Sequence, residues 1–314
     1  MLMSDRIGLR LKLQDLNVFM AVVQAGSMRK AAERLNTVQP AISRSIGELE
    51  HTFGVRLLDR RRQGIEPTEY GRALLACGLA VFDDLRQGVR TIESLVDPTV
   101  GEVRVGCNAT LAGSFVSAVV DRLSRRYPRI VFRVVTAYVE TLHRELTERN
   151  VDLLIARRSG PIADERLDYE SLFGDSFSVV VGAQNPLARR RRIELAELVN
   201  EPWVLPAPPD RVIELVAKEA FRASGLDYPR ATVFTASPEV RMSLLATGRF
   251  ISIIPDCILR FSTRRPELKA LPVQQSLSSV PVGIVTLKNR TLSPVTQLFI
   301  DSARQVAKSL AKTK

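Results

Sequence analysis

Between Ser27 and Glu50 the chain reads SMRKAAERLNTVQPAISRSIGELE, two short amphipathic helices separated by a few residues. Met28, Ala31, Ala32 and Leu35 recur at i, i+3, i+4 and i+7, the spacing of one buried helical face, and Ser27 stands where an N-cap is expected. The alanines keep that face thin, so another helix can cross close by. Past Asn36 and Thr37 the second helix begins with Pro40, a residue favoured in a first turn because its missing N–H costs little there. Ile42, Ile46 and Leu49 form its inward stripe, which leaves Gln39, Ser43, Arg44 and Gly47 facing out. A helix-turn-helix of this kind points hydrogen-bonding side chains where a major groove would meet them. The same spacing suits an ordinary surface hairpin, so support has to come from outside the motif.

The flanking residues supply it. Upstream, Leu13, Leu16, Phe19, Met20 and Val23 make another helical stripe that ends near Gly26. Downstream, Phe53 to Gly64, FGVRLLDRRRQG, reads as a short hairpin with a basic tip, shaped to touch phosphates beside a groove. Three helices and a hairpin make a winged helix-turn-helix, expected over residues 1–66. Charge agrees with a nucleic-acid partner: 45 Lys and Arg against 34 Asp and Glu give +11 over 314 residues. Residues 1–65 hold 11 basic and 6 acidic groups, nearly half the excess in a fifth of the chain. RNA or anionic lipid would also suit a basic surface, but no long apolar span and no aromatic-rich stacking surface favours either.

Through AAERLN, QPAISRSIGELE, FGVRLLDR and PTEYG the chain resembles the LysR-type transcriptional regulators, closely over its first 70 or so residues and more loosely beyond. It departs from the family pattern at Val38, where Thr or Ser is frequent, and at Leu58, where Phe is frequent. Thr37 is then an alternative cap for the second helix. The resemblance implies a DNA-binding regulator, with Gln39, Pro40, Ser43 and Arg44 reading double-stranded DNA, Ser27 and Thr37 flanking them, and Arg34, Arg60 and Arg62 on phosphates. It also implies a dimer of dimers on a palindromic site, with a contact to RNA polymerase.

After Pro67, Leu75, Gly78, Phe82, Leu85, Val89, Ile92 and Val96 recur at gaps alternating between three and four, a seam for one long helix over 67–97. A single helix cannot bury such a seam. Leu75, Phe82, Leu85, Val89 and Ile92 are therefore expected to pair two copies, packing against the chain's own body being the alternative. Asp97 and Pro98 end the helix.

From Gly101 strands alternate with helices. Glu102–Gly106, Ile130–Val135 and Val151–Ala156 read as strands of a parallel α/β arrangement, and Ser176–Gly182, Trp203–Pro206, Ala231–Phe234 and Pro281–Leu287 as further strands. The family resemblance implies a two-lobed, periplasmic-binding-protein-like effector domain over 98–314: lobe I at about 101–173 and 280–314, lobe II at about 174–279. Ligands of such folds sit outside the carboxyl ends of the strands. Asn108 and Thr110 follow the first strand and open a helix, a place for an anionic or hydroxylated group or for ordinary capping. Thr136, Arg157, Pro206 and Ala207 stand at later strand ends, and the resemblance puts Phe250 in GRFISIIP where a glycine is common.

An enzyme of this architecture would need a base, and His51 and His143 are the only histidines available. GxSxG, Walker, HExxH and dinucleotide fingerprints are all missing from the sequence. A solute-binding module is the other alternative, but the first residues, MLMSDRIGLRLKLQ, lack a secretory h-region, so a cytoplasmic protein starting at Met1 or Met3 is expected. Cys77, Cys107 and Cys257 lack CxxC spacing, so they are expected to be buried small residues and not metal ligands.

Overall fold

A computed structural model of the chain describes residues 11–61, 64–97, 99–158, 160, 164–207, 211–261, 267–275 and 277–311. It divides into two compact units that meet in sequence between Arg86 and Gln87.

The first unit is the winged helix-turn-helix. Helices α1 (Leu13–Ala25), α2 (Met28–Arg34) and α3 (Gln39–Phe53) bury Leu16, Phe19, Val22, Met28, Ala31, Ile42, Ile46 and Leu49 in one core. Leu13, expected on that face, is exposed instead. Ser27 occupies the N-cap position of α2, but its hydroxyl makes no capping bond. Thr37 does not cap α3 either: the cap position belongs to Val38, and Thr37 N–H donates to the Ala32 carbonyl at 2.9 Å. Between the helices Asn36 takes φ 49, a left-handed turn that asparagine tolerates better than most residues.

The hairpin lies later than expected. Phe53 completes α3 and Gly54 caps it at φ 67, so the wing is β1 (Leu58–Arg61) paired antiparallel with β2 (Gly64–Pro67). The long helix α4 (Glu69–Val96) spans 28 residues, about 42 Å at 1.5 Å per residue.

Its seam divides in two. Leu75 and Phe82 pack on the core of the first unit, and a side chain on Gly78 would meet Met20 and Leu16. Leu85, Val89 and Ile92 are exposed, at 48, 56 and 64%. An α-helix drifts by about 20° per heptad against a 3.5-residue repeat, so a straight helix cannot keep such a seam on one side. Only the later residues of the seam are left exposed. Cys77 falls on the exposed side of α4, contrary to the expectation that all three cysteines are buried.

The second unit holds two mixed sheets, in which the first three strands run parallel as expected and later strands add antiparallel pairs. One runs β4-β3-β5-β12-β6, from β3 (Val100–Cys107), β4 (Arg129–Thr136), β5 (Leu153–Arg157), β6 (Leu167–Asp175) and β12 (Val280–Leu287). The other runs β11-β7-β10-β8-β9, from β7 (Phe177–Gly182), β8 (Trp203–Pro206), β9 (Ala231–Thr235), β10 (Ile251–Pro255) and β11 (Leu268–Ala270). β12 lies antiparallel to β5 and β6, and β10 antiparallel to β7. The chain crosses between sheets at Asp175–Phe177 and returns between β11 and β12. Helices α5 (Ser117–Arg126), α6 (Val139–Thr147), α7 (Arg211–Ala223), α8 (Pro238–Ala246), α9 (Asp256–Phe261) and α10 (Pro294–Ala311) flank them. α5 continues from Ala109–Leu111 through a wide π-type turn, Ala112–Val116.

At the start of β5, the fully buried Asp152 carboxylate meets Arg104 at 2.7 Å, Arg290 at 3.1 Å and Arg90 of α4 at 3.5 Å. It also accepts the Arg104 backbone N–H at 2.9 Å. One carboxylate therefore gathers three arginines within the second unit, one of them from the last turns of α4.

Candidate DNA interface and effector cleft

In the first unit the expected contact residues lie on the outer side of α3. Gln39, Pro40, Ser43 and Arg44 are all exposed, while Ile42, Ile46 and Leu49 anchor the opposite face. Arg34 is exposed too, its guanidinium donating to Gln24 Oε1 at 2.9 Å. Ser27 is half-buried at the start of α2. Arg60 belongs to β1, opposite Ile65, and Arg62 lies outside the described residues.

Two residues that set this geometry carry no obvious chemical signal in the sequence. Glu50, near the end of α3, accepts from the backbone N–H groups of Leu57 and Leu58 at 2.8 and 3.3 Å, which ties the recognition helix to the first strand of the wing. Thr68 accepts the Gly71 N–H at 3.1 Å and so caps α4, and its own hydroxyl donates to the Arg56 carbonyl at 2.8 Å. The PTEYG run thus has a physical meaning: it starts the long helix and closes the wing.

In the second unit a cleft of about 500 Å³ opens at the carboxyl ends of the strands. Asn108, Thr110, Thr136, Tyr138 and Arg157 line it from the first lobe, and Val212, Leu215, Ala236 and Pro238 from the second. The lobe I wall supplies the hydrogen-bonding groups and the lobe II wall is apolar. Asn108 Oδ1 accepts the Leu111 N–H at 2.9 Å, so this residue caps its helix as well as facing the cleft.

Arg157 is not a loose cation. It bonds Asp175 Oδ2 at 2.7 Å with both side chains almost fully buried, and it reaches Cys257 Sγ at 3.3 Å. Asp175 Oδ1 accepts the Cys257 N–H at 3.0 Å, and Ser114 Oγ in the π-type turn approaches Cys257 Sγ at 3.4 Å. A cleft residue of lobe I is therefore joined to the crossover and to the first turn of α9 in lobe II. Burial pushes both the Cys257 and Cys107 thiols up to about 12, far from the thiolate needed for redox chemistry.

Three expected cleft residues lie elsewhere. Pro206 ends β8 opposite Thr235, and Ala207 donates its N–H to the Thr235 carbonyl at 3.1 Å; neither lines the cleft, whose lobe II wall comes from α7 and the residues after β9. Phe250 is further off. It precedes Ile251, which pairs with Trp203 at the amino end of β8, whereas the cleft lies at the carboxyl end. Its ring sits under the Arg249 guanidinium at 5.3 Å.

No helix among the described residues is long and apolar enough to cross a membrane. Among those residues there is also no group of three or more His, Cys, Asp or Glu that could hold a metal ion.

Comparison with known proteins agrees with both halves. Residues 13–72 match the model of the bacterial regulatory helix-turn-helix protein, lysR family, and residues 97–308 that of the LysR substrate binding domain. The chain is 28% identical to the uncharacterized HTH-type transcriptional regulator YdcI of Escherichia coli over 94% of its length and 96% of that protein. It is 27% identical to the regulator GbpR of Azospirillum brasilense, over 91% of this chain and 83% of GbpR. Among solved structures, full-length OxyR from Pseudomonas aeruginosa superposes with a TM-score of 0.67 at 19% identity, covering 95% of this chain and 97% of that one. CbnR complexed with its target DNA gives 0.55 at 21%, covering 95% and 100%. At such identities these two share the fold.

Proposed function

This chain belongs to the LysR family of bacterial transcriptional regulators, and from that premise we propose how its parts divide the work. It is a DNA-binding regulator with an effector-binding domain and not an enzyme. Helix α3 enters the major groove, where Gln39, Pro40, Ser43 and Arg44 read base edges while Arg34, Arg60 and Arg62 neutralise phosphates. One observation carries this assignment: the exposed polar row on α3 lies opposite the buried Ile42, Ile46 and Leu49, so the helix is fixed by its core face and free on the other.

Two copies pair through the later part of α4, where Leu85, Val89 and Ile92 are exposed, and read inverted half-sites of a palindrome. Dimers assemble into a tetramer in the cytoplasm that contacts RNA polymerase. A hydroxylated or anionic small molecule enters the cleft, is held by Asn108, Thr110 and Thr136, and draws the lobes together. Closure then changes the angle between DNA-binding domains. The engagement of Arg157 with Asp175 favours the hydroxylated class, because a ligand carboxylate has to compete for that guanidinium.

Footprinting of the full-length protein on the region upstream of its own gene tests the DNA assignment. A protected palindrome is expected, with Arg44→Ala weakening it by about tenfold, the scale of one good base contact. Absence of any footprint at moderate salt, or an unchanged Arg44→Ala footprint, overturns the assignment. Arg34→Ala is expected to weaken all sequences alike and to reduce the salt slope by about one. For the cleft, a thermal-shift panel of hydroxylated and carboxylated metabolites should give hits that Thr136→Val abolishes.

A further inference from the structure

We propose that Val38 is a base-reading residue and that its isopropyl group packs against the 5-methyl of a thymine, fixing one T in each half-site. The inference rests on the docking of α3 described above.

Val38 occupies the N-cap of the recognition helix, where a residue with a side-chain acceptor would serve an amide of the first turn. Valine has no acceptor, and no side-chain cap bond is made; only its carbonyl takes part, accepting from Ala41 N–H at 3.0 Å and Ile42 N–H at 3.4 Å. The side chain gains nothing from the interior in return. It is 65% exposed and lies outside the core formed by α1, α2 and α3. A capping bond has thus been given up for a branched apolar group held in water at the groove-facing end of the helix.

That end is the part of a recognition helix that reaches base edges. Polar groups dominate the floor of a major groove, and the apolar feature it offers is the thymine methyl. A β-branched side chain suits such a contact, because its χ1 is already restricted and little rotamer freedom is lost on docking. Pro40 and Ala41, also exposed, extend the apolar end of the helix, with Gln39 between them and Val38 as the polar exception.

The test uses the full-length protein and duplexes enriched by it from a random-sequence pool, with deoxyuridine substituted for each thymine in turn. Deoxyuridine removes the methyl and leaves every hydrogen-bonding group in place. One thymine per half-site is expected to show about fourfold weaker binding on substitution, the value of one buried methyl-sized group. Val38→Ser is expected to lose that sensitivity while unfolding at a temperature no lower than the wild type, since serine can form the missing cap. Val38→Thr, which keeps a methyl, is expected to retain part of it. Wild-type insensitivity at every thymine, or an identical profile in Val38→Ser, overturns the proposal. A pool that yields no enriched sequence overturns the docking of α3 itself, and is told apart because it leaves no thymine to substitute.

Discussion

Arg157 and Asp175 show how differently a residue reads in sequence and in space. An arginine at a strand end is legible as a ligand contact, yet its partner stands 18 residues later, on the crossover, and nothing in the spacing announces the pair. The same holds for Asp152, whose three arginines come from α4, β3 and the segment before α10. Such clusters are made by tertiary contacts, so local pattern cannot reveal them. Removing one side of a buried pair leaves the other charge uncompensated, and Asp152→Ala is expected to cost about 3–5 kcal/mol in urea unfolding. Exposed Arg29→Ala, whose partner Glu33 is also exposed, should change stability by well under about 1 kcal/mol. The cysteines give a second residue-level test. At pH 8 iodoacetamide should label Cys77 and spare Cys107 and Cys257 until the chain unfolds, as mass spectrometry can read. With both buried thiols raised from 9.0 to about 12, their contribution to stability is present below pH 9 and is lost as the pH climbs toward 12, so alkaline unfolding should begin in that window.

Elements are most legible where one face decides the outcome. The α2 and α3 stripes and the strand Trp203–Pro206 stand where periodicity puts them, because each is dictated by local burial. The wing is displaced from its expected place because Phe53 suits a helix end as well as a strand, and only the capping by Gly54 and the grip of Glu50 on Leu57 and Leu58 decide between them. β6 escapes the strand pattern because LDYESLFGD, with its partly exposed residues, carries no clean alternation. Phe250 stands away from the cleft for a related reason: a motif gives the neighbourhood of a strand, but which end of it faces a cleft depends on the direction of its neighbours. At this scale Gly71 is the sharpest prediction. A methyl there would collide with the Leu57 carbonyl oxygen, which is itself fixed by the Thr68 N–H at 3.0 Å. Alanine improves helix propensity by at most about 1 kcal/mol, whereas overpacking costs about 1–3. Gly71→Ala should therefore be net destabilising in thermal unfolding and should lower DNA affinity in a gel-shift titration by loosening the wing.

For the molecule as a whole, the order of parts is legible in the sequence: winged helix-turn-helix, long helix, α/β effector domain. The sheets' internal directions are not, since antiparallel β12 is a late strand returning to an earlier sheet and strand order is a property of contacts distant in sequence. Nor is the division of α4 visible, because its apolar residues continue through both of the chain's units. That division makes the helix a spacer with a phase. Each residue of α-helix adds 1.5 Å and turns the remainder of the helix by about 100°, so inserting one alanine near Asp84 rotates everything beyond it by more than about a quarter turn. Inserting seven restores the angle to within about 20° while adding about 10 Å. A series of insertions of one to seven residues at this point should make promoter response oscillate with the helical repeat, with transcription from a reporter as the measure. Such an oscillation would place on α4 a constraint of the kind a gear imposes on its shaft, in which angle is held more strictly than distance.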